Sequence, residues 1–154
     1  MRYYYVYKNI LVAYDGSKLG RKVLDTSIQI AKQNEAELTI LTAVEPLPPV
    51  GTPEAPTYIA QYNDDLEKNF KALHYKIMKQ INEEHPKMKL HSRVVFGKAA
   101  TVIQDESKDK DLIVIGHRGH GIIMSWVLGS VAKTVVDTCT VPVLVVKNLE
   151  QEPE

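Results

Sequence analysis

Cysteine occurs once in the 154 residues, at Cys139, so no disulfide can close within the chain and its cysteines cannot assemble a zinc set. We read Cys139 as a small buried helix-end residue and not as a redox group. An excess of either charge is also missing. The 19 lysines and arginines balance the 19 aspartates and glutamates, which leaves no electrostatic footprint for nucleic acid or an anionic membrane. No apolar run approaches the roughly 18 residues of a membrane span, and the opening MRYYYVYKN lacks the apolar core of a signal peptide. A cytoplasmic protein with neither nucleic acid nor membrane as partner is expected. No linker divides the sequence, so residues 1–154 are expected to form one domain, large enough to bury a core without staples.

What the chain does have is a regular alternation of strand-like and helix-like segments. Tyr3, Tyr4, Tyr5, Val6 and Tyr7 have strand character and read as an extension of the first strand or a packing flap. Ile10 to Tyr14 is a buried strand, and Asp15-Gly16-Ser17 then predicts a sharp turn with Ser17 capping a helix. Leu24, Ser27, Ile28 and Ala31 recur at helical spacing, with Asn34 as the expected left-handed stop. Leu38 to Val44 is a second strand. The stretch from Pro46 to Pro56 holds five of the eight prolines and is expected to be neither helix nor ladder but a long loop. From Tyr58 a long amphipathic helix carries a core stripe of Ile59, Tyr62, Leu66, Phe70, Leu73, Ile77 and Ile81, and His85-Pro86 ends it. Leu90 to Phe96 alternates like an edge strand, Gly97 breaks it, and a helix from Ala99 to about Lys108 follows. Leu112 to Ile115 is an unbroken aliphatic strand, Val131 to Thr138 reads as a helix, and Val143 to Val146 closes as the fifth strand. Such alternation implies an open parallel sheet with right-handed crossovers and helices on both faces. Periodicity alone does not choose between the strand orders 3-2-1-4-5 and 2-1-3-4-5.

The segment from Asp111 to Val136 organises the rest. A buried strand runs into Gly116, then Gly119, then after nine residues Gly129 with Ser130, a preferred N-cap, before the last helix. Glycines at a strand end let main-chain N–H groups approach an anion, and a helix start adds unpaired donors and the positive end of its dipole. The spacing G-x2-G-x9-G-S, with Asp15-Gly16-Ser17 and the ending Val141-Pro142-Val143-Leu144-Val145-Val146, resembles the universal stress protein family over about residues 8 to 147, specifically its ATP-binding branch. The resemblance implies the strand order 3-2-1-4-5, which places the ends of strands 1 and 4 side by side at a topological switch point.

The resemblance further implies a nucleotide site made by Ala13, Asp15, Ala43, Gly116, Gly119, Gly129, Ser130 and Val131, with ATP and Mg²⁺ as the ligands. Ala13 and Ala43 match positions whose backbone frames adenine. Gly116 would let the chain turn beside the sugar, and Gly119 would expose main-chain N–H groups to phosphate. Gly129, Ser130 and Val131 would offer N–H groups and a hydroxyl to the distal phosphates. Asp15 repels phosphate, so it suits ribose hydroxyls, a bridging Mg²⁺, or a purely local turn before Ser17. His117 stands where the family commonly has Ser or Thr, which removes one hydroxyl contact. Arg118 suits phosphate or solvent equally, and His120 reads as a loop residue. No catalytic residue and no protein metal site is expected.

A regulatory or stress-response factor is the leading functional reading. An ATP-consuming enzyme is disfavoured because G-x4-G-K-[ST] is absent and no general base follows the glycine motif. The S-G-G-x-D-S loop of related ATP pyrophosphatases is missing as well, and a dehydrogenase lacks its G-x-G-x-x-G. A nucleotide-free scaffold is disfavoured because the glycines are intact. A homodimer through the apolar edge strand Val143 to Val146 is expected, with Pro142 at its start where a missing N–H is tolerated.

Overall fold

The computed structural model describes residues 6–47, 55–118 and 128–147. Five strands and four helices alternate through it: β1 (Asn9–Ala13), α1 (Lys18–Asn34), β2 (Glu37–Val44), α2 (Ala55–Glu84), β3 (Leu90–Phe96), α3 (Ala99–Glu106), β4 (Leu112–Gly116), α4 (Ser130–Thr138) and β5 (Val143–Val146). All strand pairs are parallel, in the order β3-β2-β1-β4-β5. Ile10 pairs with Leu38 on one side and Leu112 on the other, so β1 is the central strand. Its residues Ile10, Leu11 and Val12 are fully buried because both faces of the sheet are covered.

The two faces follow from strand alternation. Ile10, Val12, Leu38 and Ile40 point toward α1 and α2, where Val23, Leu24, Ile28, Ile77 and Ile81 complete one core. Leu11, Leu41, Ile113 and Ile115 point the other way, onto Val102 and Ile103 of α3 and Ala132 and Val135 of α4. Both outer strands differ from the centre. In β3, His91, Ser92 and Arg93 are exposed, as an edge predicts, and in β5 Leu144 is 37% exposed.

Several local expectations are corrected. The left-handed residue closing α1 is Glu35, with φ of 51°, and not Asn34. Asn34 stays in the helix because its side chain is committed: the amide donates to the Ile30 carbonyl and its oxygen accepts from the Tyr7 N–H. Helix α2 begins at Ala55, three residues before the expected Tyr58, with Pro56 inside its first turn where a missing N–H costs nothing. The stripe of α2 is core only at its C-terminal end. Ile77 and Ile81 are buried, Ile59, Leu66, Phe70 and Leu73 are half-buried, and Tyr62 is exposed, because α2 at 30 residues is about 45 Å long and outruns strands of four to eight residues. Tyr3 to Tyr5 and most of the proline-rich loop lie outside the described residues.

Candidate functional site

The carboxyl ends of the strands carry a cleft of about 600 Å³. Ala13 and Asp15 at the end of β1, Ala43 at the end of β2, Gly116 at the end of β4, and Gly129, Ser130 and Val131 at the start of α4 all line it. Seven of the eight expected residues are therefore brought together, and Gly119 lies outside the described residues, as does His120. The cleft has two unlike ends. Toward β2 and α3 it is mostly apolar, walled by Leu41, Ala43, Ala99 and Ile103, with one carboxylate, that of Glu45, which accepts from the Ala99 N–H at 3.4 Å; toward β4 and α4 it is lined by Gly116, Arg118 and the helix start.

The turn after β1 builds the first polar wall. The Asp15 Oδ1 accepts from the Ser17 N–H at 3.0 Å and from the Ser17 hydroxyl at 2.6 Å, and the Ser17 Oγ in turn accepts from the Gly20 N–H at 2.9 Å, capping α1. Gly16 between them has φ of 81°, a conformation a glycine adopts without strain. Of the roles left open for Asp15, the local turn is thus directly visible in one of its oxygens. Gly20 makes this arrangement fit, since a Cβ there would stand 2.6 Å from the Asp15 Oδ1. Sequence reasoning passed over Gly20; the available signal was a glycine three residues after a serine cap, inside a helix that gains nothing from it.

The β4 end and the α4 start are stitched through His117. Its N–H donates to the Val146 carbonyl at 2.8 Å, and its carbonyl accepts the Gly129 N–H at 2.9 Å. The expectation that the Gly129 N–H faces an anion is therefore corrected, because that proton is already used. Gly129 is required for closeness instead. A Cβ there would lie 3.0 Å from the His117 carbonyl oxygen and 3.4 Å from the Arg118 Cα. Ser130 is likewise not the N-cap but the first helical residue, with Gly129 capping without a side chain. The first intrahelical bond runs from the Lys133 N–H to the Gly129 carbonyl, so the N–H groups of Ser130, Val131 and Ala132 precede it and project from the helix end. These three donors and the helix dipole make the α4 end of the cleft suited to an anion. Gly116 leaves room for the same loop, since a Cβ would sit 3.2 Å from the Arg118 carbonyl oxygen and 3.3 Å from Val23.

Behind the Asp15 turn lies a polar group that sequence reasoning counted as neither site nor core. His74 of α2 is 1% exposed and sits between the Thr42 hydroxyl, 2.7 Å from its Nε2, and the Ser92 hydroxyl, 2.8 Å from its Nδ1. Burial holds its pKa below the ordinary histidine value. Burial also pushes the Tyr14 phenol up, so it stays neutral. Among the described residues no group of three or more His, Cys, Asp or Glu side chains gathers to hold a metal ion.

A model of the Universal stress protein family matches residues 6–147. Universal stress protein MJ0531 of Methanocaldococcus jannaschii is 34% identical over 149 residues, covering 96% of this chain and 86% of its own. Universal stress protein YxiE of Bacillus subtilis is 30% identical over 148 residues, covering 92% of this chain and all of its own. Among solved structures, universal stress protein UspA from Lactobacillus plantarum superposes with a TM-score of 0.81 at 25% identity, covering 93% of this chain and 99% of that one. A universal stress protein solved in complex with cAMP has a TM-score of 0.63 at 24% identity, covering 93% and 98% of the two chains. With its strand order, its glycine spacing and a family match spanning nearly its whole length, this chain belongs to the universal stress protein family.

Proposed function

We propose that the cleft binds ATP, with Mg²⁺ carried on its phosphates, and that the protein acts as a nucleotide-dependent regulatory or stress-response factor. The observation that carries this reading is the convergence, around one cleft, of a mostly apolar pocket, the Asp15 turn and the three projecting N–H groups of α4. Adenine fits the end between Ala43 and Ile103, ribose falls beside Asp15, and the phosphates reach Ser130 and Val131. With no carboxylate set gathered among the described residues, Mg²⁺ would be held chiefly by phosphate oxygens and water, as that ion prefers. The cAMP bound by a protein of the same fold is also an adenine nucleotide, which supports the ligand class. A regulator is favoured over an enzyme because the sequence carries no G-x4-G-K-[ST] loop with its charge-neutralising lysine. The apolar β5 edge, where Leu144 stands exposed, would pair with its counterpart in a homodimer.

The direct test replaces Ser130 by proline. At the first helical position proline removes an N–H without removing an intrahelical bond, and Gly129 before it already has the extended backbone, with ψ of 157°, that a following proline demands. Ser130→Pro should leave the fold intact and weaken ATP binding by about ten- to a hundredfold, the equivalent of one charge-assisted hydrogen bond. Unchanged calorimetric affinity in the folded variant would refute the anion role of α4.

A further inference from the structure

The proton positions around His74 follow from which groups are able to donate. The Thr42 Oγ1 lies 2.7 Å from the Tyr14 carbonyl oxygen, which only accepts, so the single threonine proton must point there. The other contact of that oxygen, 2.7 Å to the His74 Nε2, then requires the imidazole to donate. Nε2 carries the proton, Nδ1 is the acceptor, and the Ser92 hydroxyl at 2.8 Å supplies it with a hydrogen. A one-way chain results, from Ser92 on β3 through His74 on α2 and Thr42 on β2 to the peptide joining Tyr14 to Asp15. Neutral histidine satisfies every link, and none of its members is left a buried unpaired atom.

From this chain we propose that Thr42 and His74 form a buried clamp that sets the Asp15 turn, making His74 a positioning residue for the sugar end of the cleft. Tyr14 is held on its other side as well, its N–H donating to the Leu41 carbonyl at 2.8 Å. The peptide preceding Asp15 is thus fixed before the Asp15 Oδ1 reaches Ser17. The neighbours of His74 on α2 act on the same turn. A Cβ at Gly16 would lie 3.6 Å from Leu73 and 4.0 Å from Phe70, so this stretch of helix underlies the turn directly. Helix α2, which contributes none of the described residues lining the cleft, nevertheless governs how Asp15 faces it. The sugar-positioning role rests on the nucleotide reading above, whereas the clamp itself does not.

The experiment compares Thr42→Val, which keeps the shape and removes the donor, with Thr42→Ser, which restores the hydroxyl. It pairs His74→Phe with His74→Gln in the same way, because the glutamine amide can both donate and accept. Two quantities are read: calorimetric affinities for ATP and its 2′,3′-dideoxy analogue, and amide hydrogen exchange at Ser17 and Gly20. Thr42→Val and His74→Phe should lose about tenfold of the preference for ATP over the dideoxy analogue, with the analogue's own affinity unmoved. Exchange at Ser17 and Gly20 should accelerate relative to the first turn of α4, and Thr42→Ser and His74→Gln should restore both readouts. General destabilisation would weaken the two nucleotides alike and leave their ratio untouched. A wild-type ratio and wild-type exchange in folded Thr42→Val or His74→Phe would overturn the clamp. If the wild type binds neither nucleotide, the functional reading falls and the exchange rates alone decide the clamp.

Discussion

Replacing Gly20 by alanine sets two effects of known size against each other. Alanine in a helix is favoured over glycine by up to about 1 kcal/mol, and Gly20 is the third residue of α1. The new Cβ, however, would stand 2.6 Å from the Asp15 Oδ1, and that oxygen is not the loose end of a long side chain. It is held by the Ser17 N–H and the Ser17 hydroxyl, so the carboxylate must abandon at least one hydrogen bond, worth about 1.5–3 kcal/mol to a charged group. The difference predicts that Gly20→Ala destabilises the protein by about 0.5–2 kcal/mol. In an Asp15→Ala background the obstacle is gone. The same substitution should then stabilise by up to about 1 kcal/mol once the Ser17 Oγ and the Tyr14 ring, 3.2 and 3.3 Å from the new Cβ, give way by a few tenths of an ångström. Urea unfolding of the four proteins completes a double-mutant cycle whose Gly20 effect changes sign. Equal effects of Gly20→Ala in both backgrounds would show that the glycine does not exist to accommodate Asp15.

The remaining predictions concern stability, assembly and turnover. His74 has a folded pKa below its unfolded value near 6.5, so the unfolded chain takes up the proton first; stability should be complete above about pH 6.5 and decline as pH falls toward the folded value, and His74→Gln should flatten that slope in urea titrations. The one titratable side chain with a ring contact to it among the described residues, Tyr14, is neutral throughout this range. Leu11→Ala, at a fully buried position on the central strand, should cost about 2–5 kcal/mol by the same assay, and a loss below 1 kcal/mol would mean the second core tolerates the void. Leu144→Lys should shift light-scattering mass from dimer to monomer; a monomeric wild type at micromolar concentration would remove the β5 assembly. ATP turnover should stay below roughly one per second, and a faster rate would promote the enzymatic reading.

The elements were legible where a single local force decides them. β1 and β4 show themselves as unbroken aliphatic runs because parallel strands covered on two faces need no alternation, and β3 shows its edge position in His91, Ser92 and Arg93. That Gly116 and Gly129 would meet at one cleft was legible as glycine spacing, yet the reasons for those glycines were not. Gly129 proved to serve the close passage of the 117–118 backbone, which depends on where another segment runs. His74 stayed hidden for the same cause. Its partners Thr42 and Ser92 are 32 and 18 residues away and meet it only once β2 and β3 lie beneath α2. Glu35 took the left-handed position from Asn34 because a distant N–H, that of Tyr7, competes for the asparagine.

The small side chains around the cleft have an evolutionary cost that can be stated in folding energy. Ala13, Ala43 and Ala99 leave empty a space that larger aliphatic residues would fill. Alanine to valine at one of them adds two carbons, worth about 1.5 kcal/mol if buried. A chain selected only to be stable would close this cleft. Directed selection for thermostability alone should therefore accumulate bulky residues at these alanines, and the survivors should be sturdier proteins with no room left for a ligand.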